Sequence, residues 1–522
     1  MRICLLFPPV ASPTYVPLGL ASLCAYVRTQ DPAIQVSAHD LNIDLWQRAA
    51  RELPEGLALR EFLQTDHRDF YDENSYRTHQ PGWQAVTRSV TTLIAGAARF
   101  VEADEIETPI AAVLDAHVAL TLRTDPEIVG ISVMYLDQMA YALALAKRIR
   151  ESGARRAGTG SQPPVSRGDS AAAFERPQIL LGGAALCVVR ENDLLMACPF
   201  IDGLVLGEGE TASVMLCRGA PWETIPGLVH RRRHHIQHNP NSVSIGCKQL
   251  PTPDFSDLPL ASYFNPEPVL PALFSRGCDW RRCRFCSHNL SFAGYRRKRV
   301  EDFVTDLERT AAGHRVRHFY LADQYVGAED AQRLALGLKD RGLSISFQVM
   351  GRPTADYTAE RLATLAEAGC RWISWGVETA SQRLLDLCRK GTRVADIEQV
   401  IGQASRAGIS NLLMLIFGLP TSTDEDVRDT IELLERLHDD IDSFTLSRFR
   451  LFERTAFGRS PAKYALASQG PETLLTVSGH PIRSRRLRFK EVASDGSLRP
   501  SRAALETATV ERRCRYLERK SF

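Results

Sequence analysis

Three cysteines stand close together in SRGCDWRRCRFCSHN (Ser275 to Asn289): Cys278, Cys283 and Cys286, among Arg276, Arg281, Arg282 and Arg284. Cysteine is ordinarily a small buried residue, and a core would not set it among arginines. The spacing C-x4-C-x2-C lets three thiolates converge on one centre, and neighbouring positive charge favours the thiolate form. Two centres fit. With His288 the set would be a closed, structural Cys3His zinc site. Three thiolates alone would hold an iron–sulfur cluster and leave one iron open to an exogenous ligand. Spacing does not separate the two. Three unliganded thiols in an exposed loop would be an oxidation liability.

The elements that must carry this loop begin at Pro271. Apolar runs at Pro271 to Ser275, Arg317 to Ala322, Ser344 to Met350, Arg371 to Val377, Ser410 to Phe417 and Asp442 to Ser447 read as strands, and helical patterns fill the gaps between them. In VEDFVTDLERT, Val300, Phe303, Val304 and Leu307 fall on one helical face. TASQ (Thr379 to Gln382) and STDE (Ser422 to Glu425) fit capping boxes. Gly342, Gly369 and Gly408 fall just past helix ends, each directly before a strand. Six strand–helix units imply a partial barrel with its active residues at the carboxyl ends of the strands. The cysteine loop follows the first strand, at that mouth. A structural zinc knuckle has no reason to sit there, whereas an open iron does.

At this point the sequence resembles the radical S-adenosylmethionine superfamily. SWGVETASQRLLDLCRKGT (Ser374 to Thr392) and LIFGLPTSTDEDVRDTIE (Leu415 to Glu432) are similar to the later strand–helix units of the branch that includes methylthiotransferases and cobalamin-dependent members. The resemblance covers roughly residues 268 to 450. The usual triad is C-x3-C-x2-C, so this chain carries one extra residue between Cys278 and Cys283. The resemblance implies that Cys278, Cys283 and Cys286 hold a [4Fe–4S] cluster. S-adenosylmethionine would chelate its fourth iron, and reductive cleavage would give methionine and a 5′-deoxyadenosyl radical. An electron donor such as flavodoxin or ferredoxin would supply the electron.

Other site residues follow by position. Phe285, between two ligands, is placed for the adenine or for loop packing. Asp323 ends the second strand and is placed to accept a hydrogen bond from the cofactor amine or the substrate. Arg352 ends the third strand. Glu378 ends the fourth, where the family holds the cofactor's ribose or amino acid end; capping the next helix is its alternative role. Gly418, Leu419 and Pro420 end the fifth, where backbone can approach the adenine. Arg448 and Arg450 are placed toward an anionic substrate group.

Residues 1 to 218 alternate RICLLF, a helical PLGLASLCAYVRTQ, IQVSAHDL, a long polar helical region near 44 to 122, EIVGISVMY, the helical QMAYALALAKRIRE, QILLGGAA and IDGLVLGEGE. Such strands imply a parallel sheet covered on both faces. No G-x-G-x-x-G follows the first strand, so a dinucleotide is not indicated. The order PP…PLGLASL, HDLN, GISVMY, LLGG, GLVLGEGE resembles the cobalamin-binding domain fused ahead of many radical enzymes. In a doubly wound sheet the ligand lies beyond the carboxyl strand ends. This places Pro9, Ser132, Tyr135, Gly182, Gly183, Gly207, Glu208 and Gly209 at the cofactor; tight turns are the glycines' alternative role. No D-x-H-x-x-G is present, so cobalamin would bind with no histidine below cobalt, and Tyr135 or water is expected there.

The fold expected is thus α/β: a Rossmann-like doubly wound cobalamin domain (1–218, with a mobile insertion near 152–177), a linker (219–265), a partial (βα)6 barrel (266–460) and a short extension (461–522) whose end, ATVERRCRYLERKSF, reads as a helix. The leading function is a methyltransferase acting on an unactivated carbon of a small-molecule or peptide substrate, with Glu378, Asp323 and Tyr135 as catalytic candidates. Rearrangement, cyclisation or oxidation without methyl transfer is the alternative. A zinc-stabilised binding module or cobalamin sensor would leave the barrel without a purpose. Methylthiotransfer is disfavoured, because there is no second cysteine triad and the chain's end does not resemble an RNA-binding domain. A net charge of +2 indicates no nucleic acid partner, and RRRHH (Arg231 to His235) and RSRRLRFK (Arg483 to Lys490) read as solvated faces. No apolar run is long enough to span a bilayer. The apolar start, Ile3 to Phe7, is stopped by Pro8-Pro9 and reads as a strand, not a signal peptide. The nine other cysteines lie mostly in apolar settings, the pattern of a reduced, cytoplasmic chain.

Overall fold

The structure, a computed structural model, describes every residue except 65–71, 157–176, 233–234, 241–243, 293 and 515–522. Most of the insertion expected near 152–177 lies outside the described residues. The chain divides into two compact units: Met1–Ile245 with Gln249–Val269 and Thr473–Ser484, and Gly246–Lys248 with Leu270–Glu472 and Arg485–Phe522.

The first unit is built on one sheet. Its strands are β1 (Arg2–Phe7), β2 (Gln35–Asp40), β3 (Ile128–Ser132), β4 (Gln178–Gly182), β5 (Gly203–Val205), β6 (Leu228–Arg232) and β7 (His235–His238). The order is β2-β1-β3-β4-β5-β6-β7. The first five are parallel; β6 and β7 are antiparallel additions. A 2-1-3-4-5 order has its topological switch between β1 and β3. Its helices are α1 (Leu18–Gln30), α2 (Leu41–Arg51), α3 (Pro54–Gln64), α4 (Glu73–Ala103), α5 (Thr108–Leu122), α6 (Met139–Arg156), α7 (Glu191–Ala197) and α8 (Glu210–Cys217). The expected stripe on α1 holds in part: Leu20, Cys24 and Val27 are buried, while Leu23 is only half-buried.

Residues 219–265 are not a linker. They supply β6 and β7, and the stretch from Gln249 onward belongs to the same unit. Arg28 bonds Asp254 and Asp257, Tyr263 donates to Asp40 at 2.6 Å, and Phe264 packs edge-on against Trp46 and Trp83. The prolines keep this backbone irregular, but its aromatic side chains are buried.

The second unit carries six parallel strands in chain order: β8 (Val269–Ala272), β11 (His318–Leu321), β12 (Ser346–Gly351), β13 (Cys370–Glu378), β14 (Ser410–Phe417) and β15 (Ser443–Arg448). A short antiparallel ribbon, β9 (Ser275–Arg276) and β10 (Arg296–Arg297), lies between the first two. The strands alternate with α9 (Val300–His314), α10 (Ala328–Asp340), α11 (Ala359–Glu367), α12 (Gln382–Cys388), α13 (Val394–Arg406) and α14 (Asp424–Arg436). Gly342, Gly369 and Gly408 take φ of 62°, 100° and 76° at the helix ends, as their spacing predicts. The caps are displaced from the expected residues: Ser381 caps α12, and Thr423 with Asp426 forms the capping box of α14. Beyond the barrel come β16 (Leu451–Phe452), the short α15 (Ala456–Arg459), a hairpin β17 (Leu466–Val477) and β18 (His480–Val492), β19 (Leu498–Arg499) and α16 (Ala503–Arg513).

The two faces of the barrel sheet differ. Phe319, Phe347, Val349, Ile373, Trp375, Leu413 and Leu415 are buried beneath the helices. The alternate residues form registered rows and stay partly exposed: Tyr320–Gln348–Trp372–Ser410, then Met350–Ser374–Leu412–Ser443. A closed barrel fills its interior with such layers. This open one leaves them lining a concavity.

Candidate functional site

The cysteine loop hangs from the end of β8 and is closed at its neck. The β9–β10 ribbon pairs Ser275–Arg276 with Arg296–Arg297. Gly277, at φ 87°, brings the two arms so close that a Cβ there would lie 2.2 Å from the carbonyl oxygen of Gly294. Asp323, just after β11, is fully buried. It accepts from the backbone N–H of Phe274 (3.0 Å) and Ser275 (2.6 Å) and from Ser275 Oγ (2.5 Å). Both of its oxygens are thus engaged. It clasps the strand entering the loop and does not present itself to a cofactor amine. Burial raises this carboxyl to about 6, against the hydrogen bonds from Ser275 and Phe274.

The loop is tethered on its other side by α12. Arg284 N–H donates to Cys388 O (2.9 Å) and its guanidinium to Leu387 O (2.8 Å). Phe285 packs against an apolar cluster that includes Leu384, Leu419, Phe457 and Leu487. It therefore anchors the loop while remaining only half-buried. Trp280 Nε1 donates to Arg389 O (2.9 Å), and the Arg352 guanidinium lies 4.0 Å over the Trp280 ring.

Cys278, Cys283 and Cys286 are unbridged and half-buried, and each thiol lies within electrostatic range of the others. Burial pushes the Cys283 thiol up to about 12 and also raises Cys286. The loop arginines do not oppose this. Arg282 stacks on Trp280, and Arg284 is spent on Leu387 and lies over the Tyr464 ring. The opposing charge is Lys390, which favours the thiolate at both Cys283 and Cys286. Cys286 also accepts from the N–H groups of His288 and Asn289. Among the described residues no three His, Cys, Asp or Glu side chains close on a single metal ion. The three thiols share one loop at the barrel mouth with Lys390 as counter-charge, which suits an anionic thiolate-bound centre.

Glu378 ends β13 in the left-handed region, φ 66°, and is buried. A non-glycine residue held there marks a locally strained backbone. Its carboxylate meets Lys390 Nζ at 2.6 Å, so it caps no helix. The sequence reading passed over Lys390, Trp280 and Tyr325; the Arg352 guanidinium also lies 5.5 Å over the Tyr325 ring. Asn289 Oδ1, Gln324 Oε1, Arg352 Nε and Thr392 Oγ1 are buried without a protein partner. Buried polar atoms are normally hydrogen-bonded, so this set fits a polar ligand at the strand ends.

Two residues at the mouth have further contacts or placements. Gly418 has φ 72°, but the close approach it permits is to α16: a Cβ would lie 2.4 Å from that of Ala503, and its N–H donates to Glu506 (2.7 Å). The Gly418 N–H is thus engaged by the protein itself. Arg448 pairs in register with Phe417, in the helix-facing row, so it does not line the concavity; both it and Arg450 are exposed. Three arginines of the basic run in β18 are paired, Arg483 with Asp193, Arg485 with Glu453 and Arg486 with Glu472.

In the first unit the carboxyl ends at the β1/β3 switch carry exposed apolar side chains: Tyr15, Met134 and Tyr135. Gln138 fixes the two ends together, accepting from Met134 and Tyr135 N–H and donating to Pro8 O. Gly183, φ 99°, leaves no room for a Cβ against Val133 O (2.3 Å). Gly207 has φ 81° and open space where a Cβ would stand. Ser132 is half-buried near Gly19, Gly209 lies against Leu23, Glu208 is half-buried, Pro9 lies two residues past β1, and Gly182 ends β4. Asn42 is fully buried; its Oδ1 accepts from Ala11 N–H (2.9 Å) while Nδ2 lacks a partner. These features fit a large, partly apolar ligand with amide groups.

Residues 273–434 match the Radical SAM superfamily. Over 339 residues the chain is 27% identical to an uncharacterised methyltransferase of Pyrococcus horikoshii, covering 62% of this chain and 67% of that one. It is 25% identical over 268 residues to an anaerobic magnesium-protoporphyrin IX monomethyl ester cyclase of Rubrivivax gelatinosus, covering 48% of each. The chain thus spans about two thirds of the first relative and half of the second. The fold matches that of the radical S-adenosylmethionine methyltransferase TsrM of Kitasatospora setae, solved with cobalamin and a [4Fe-4S] cluster (TM-score 0.64, 17% identity, 99% of this chain, 88% of that one). It also matches the cobalamin-dependent radical enzyme OxsB, solved with aqua-cobalamin and S-adenosylmethionine (TM-score 0.57, 19% identity, 86% and 53%). The second unit is a radical SAM domain. The whole chain has the fold of the cobalamin-dependent radical SAM enzymes.

Proposed function

We propose that the protein is a cobalamin-dependent radical S-adenosylmethionine methyltransferase acting on an unactivated carbon of a small-molecule or peptide substrate. The observation that carries the reading is the thiol triad at the end of β8, beside a set of unpartnered buried polar atoms at the mouth of an open barrel. Cys278, Cys283 and Cys286 would hold a [4Fe–4S] cluster, which supplies one-electron cleavage of S-adenosylmethionine when bound. Glu378 would receive the amino end of that cofactor. The partly exposed rows from Tyr320 to Ser410 and from Met350 to Ser443 would receive the substrate.

Cobalamin would lie on the first unit at the β1/β3 switch, over Tyr15, Met134 and Tyr135. His117 is fully buried, with its two ring nitrogens on Asp44 (2.8 Å) and Tyr141 (2.6 Å), so it is not free for a metal. Tyr135 would be a side chain facing the bound cofactor. The methyltransferase names among the relatives favour methyl transfer. The cyclase name favours a second reading, ring closure or oxidation on the same scaffold.

The test is an anaerobic incubation of reconstituted protein with S-adenosylmethionine and a strong reductant, with and without cobalamin. Formation of 5′-deoxyadenosine, lost in Cys283→Ala, supports radical chemistry. S-adenosylhomocysteine that appears only with cobalamin supports methyl transfer. Deoxyadenosine without S-adenosylhomocysteine favours the second reading, and neither product overturns both.

A further inference from the structure

The segment Arg389–Lys390–Gly391 is bent against its own preference. Arg389 (φ 53°) and Gly391 (φ 71°) both lie in the left-handed region, one on each side of Lys390. The bend is held from outside. Trp280 occupies the place of a Gly391 Cβ, which would fall 2.2 Å from its ring, and it bonds Arg389 O. Arg352 donates to Lys390 O at 3.0 Å. The side chain this delivers is buried. Its Nζ lies 2.6 Å from where a Cβ of Gly376 would stand, so only glycine leaves it room. Gly376 belongs to the same row of the barrel wall as Met414 and Thr445, so the ammonium sits at the inner face. There it meets Glu378 at 2.6 Å, and its own segment is tied to the cysteine loop on both sides of Cys283: Arg284 N–H donates to Cys388 O and Trp280 Nε1 to Arg389 O.

A buried ion pair is costly to form and is poor evidence of stabilisation by itself. Two left-handed residues, a vacated Cβ and two external clamps to aim one lysine call for another reason. We propose that Lys390 is a positioning residue of the cluster centre: it fixes Glu378 at the barrel mouth and stabilises the more electron-rich state of the thiolate-bound cluster. This rests on the radical SAM reading of the triad. The two members of the pair then act on the cluster with opposite sign. Removing the ammonium disfavours reduction, whereas removing the carboxylate favours it.

The experiment is a redox titration, followed by electron paramagnetic resonance, of the full reconstituted chain as wild type, Lys390→Met, Lys390→Arg and Glu378→Gln, with iron content measured in each. Lys390→Met should lower the cluster's reduction equilibrium at least tenfold, or 59 mV for one electron. Lys390→Arg should restore most of this, and Glu378→Gln should shift the potential upward. Potentials that are unchanged, or that move the same way in Lys390→Met and Glu378→Gln, overturn the proposal. If Lys390→Met assembles no cluster, Lys390→Arg and Glu378→Gln decide: a wild-type-like potential in the first with a rise in the second supports it, and any other pair overturns it. A wild-type chain that binds no iron–sulfur cluster overturns the radical SAM reading and this proposal together. A cluster with indifferent potentials overturns this proposal alone.

Discussion

Asp323 distinguishes a clasp from a catalytic contact, and replacing it gives a measurable sign. In Asp323→Ala the buried N–H groups of Phe274 and Ser275 lose their acceptor. Each such loss costs about 1–3 kcal/mol, or about 2–6 kcal/mol together. The carboxyl also carries a cost of its own. Its folded value of about 6 exceeds the ordinary 3.8 because burial disfavours the charge, so the folded state holds the proton over a range in which the unfolded chain has released it. Stability contributed by this group is therefore fully present below pH 3.8 and is lost as pH rises through about 6. The loss at neutral pH is about 3 kcal/mol, from two pKa units at 1.36 kcal/mol each. At pH 7.5 the alanine variant removes that cost, so its net change lies between about 1 kcal/mol of gain and about 3 kcal/mol of loss. At pH 5 wild type recovers about 1.4 kcal/mol, so the gap between them widens by that amount. Urea unfolding of both proteins at the two pH values measures it, with slopes of about 1–3 kcal/mol per molar. A gap that is constant or that narrows toward pH 5 would refute the buried-clasp reasoning. So would a variant as stable as wild type at both values that has lost only S-adenosylmethionine binding.

Three other outcomes follow from the same geometry. Cys278→Ser and Cys286→Ala should each lose the cluster's visible absorbance while keeping wild-type far-ultraviolet circular dichroism. Gly183→Ala should cost about 1–2 kcal/mol for its positive φ alone, and more for the clash with Val133 O; loss of cobalamin uptake, followed by visible absorbance, accompanies it. Trp375→Phe removes the 2.7 Å bond from Nε1 to Asn411 and leaves that carbonyl buried without its donor, so urea unfolding should show a loss of about 1–3 kcal/mol.

The barrel was legible because its signals are local. Strand runs of one hydrophobic character, and glycines such as Gly369 just past a helix, act within a few residues. The caps slipped by one or two positions because Thr379, Ser381, Ser422 and Thr423 offer the same hydroxyl within one short stretch. The segment 219–265 was misread because prolines signal irregular backbone and say nothing of what covers it; Tyr263 and Phe264 are buried all the same. The β17–β18 hairpin was missed because β18 carries charge on both faces and Gly470-Pro471 interrupts β17. Its one sharp signal is the turn Ser478–Gly479, where φ is 49° and 79°. For Asp323, Phe285 and Gly418 the sequence places each at a strand end or in the loop but does not tell which way the group points. Lys390 was hidden because its place beside Cys283 depends on a contact between distant parts of the chain.

The tethers on the cysteine loop bear on why the ligands can be changed without unfolding the unit. In a small zinc domain the metal supplies the folding energy, and the metal-free chain has no structure. Here the neck is closed by the β9–β10 ribbon and the Gly277–Gly294 approach. Asp323 holds the entering strand, Arg284 ties the middle to α12, Phe285 sits in an apolar cluster, and Trp280 is bonded to Arg389. None of these contacts involves a cysteine sulfur. The loop's backbone is thus positioned by the protein before any metal arrives, which is what a centre with an open iron requires: its ligands must stay in place while a substrate molecule binds and leaves. The same tethers explain the half-buried thiols. A loop that had to fold around its metal would leave them exposed until it did, whereas this one shields them and sets a single ammonium, Lys390, against the cost of ionising them.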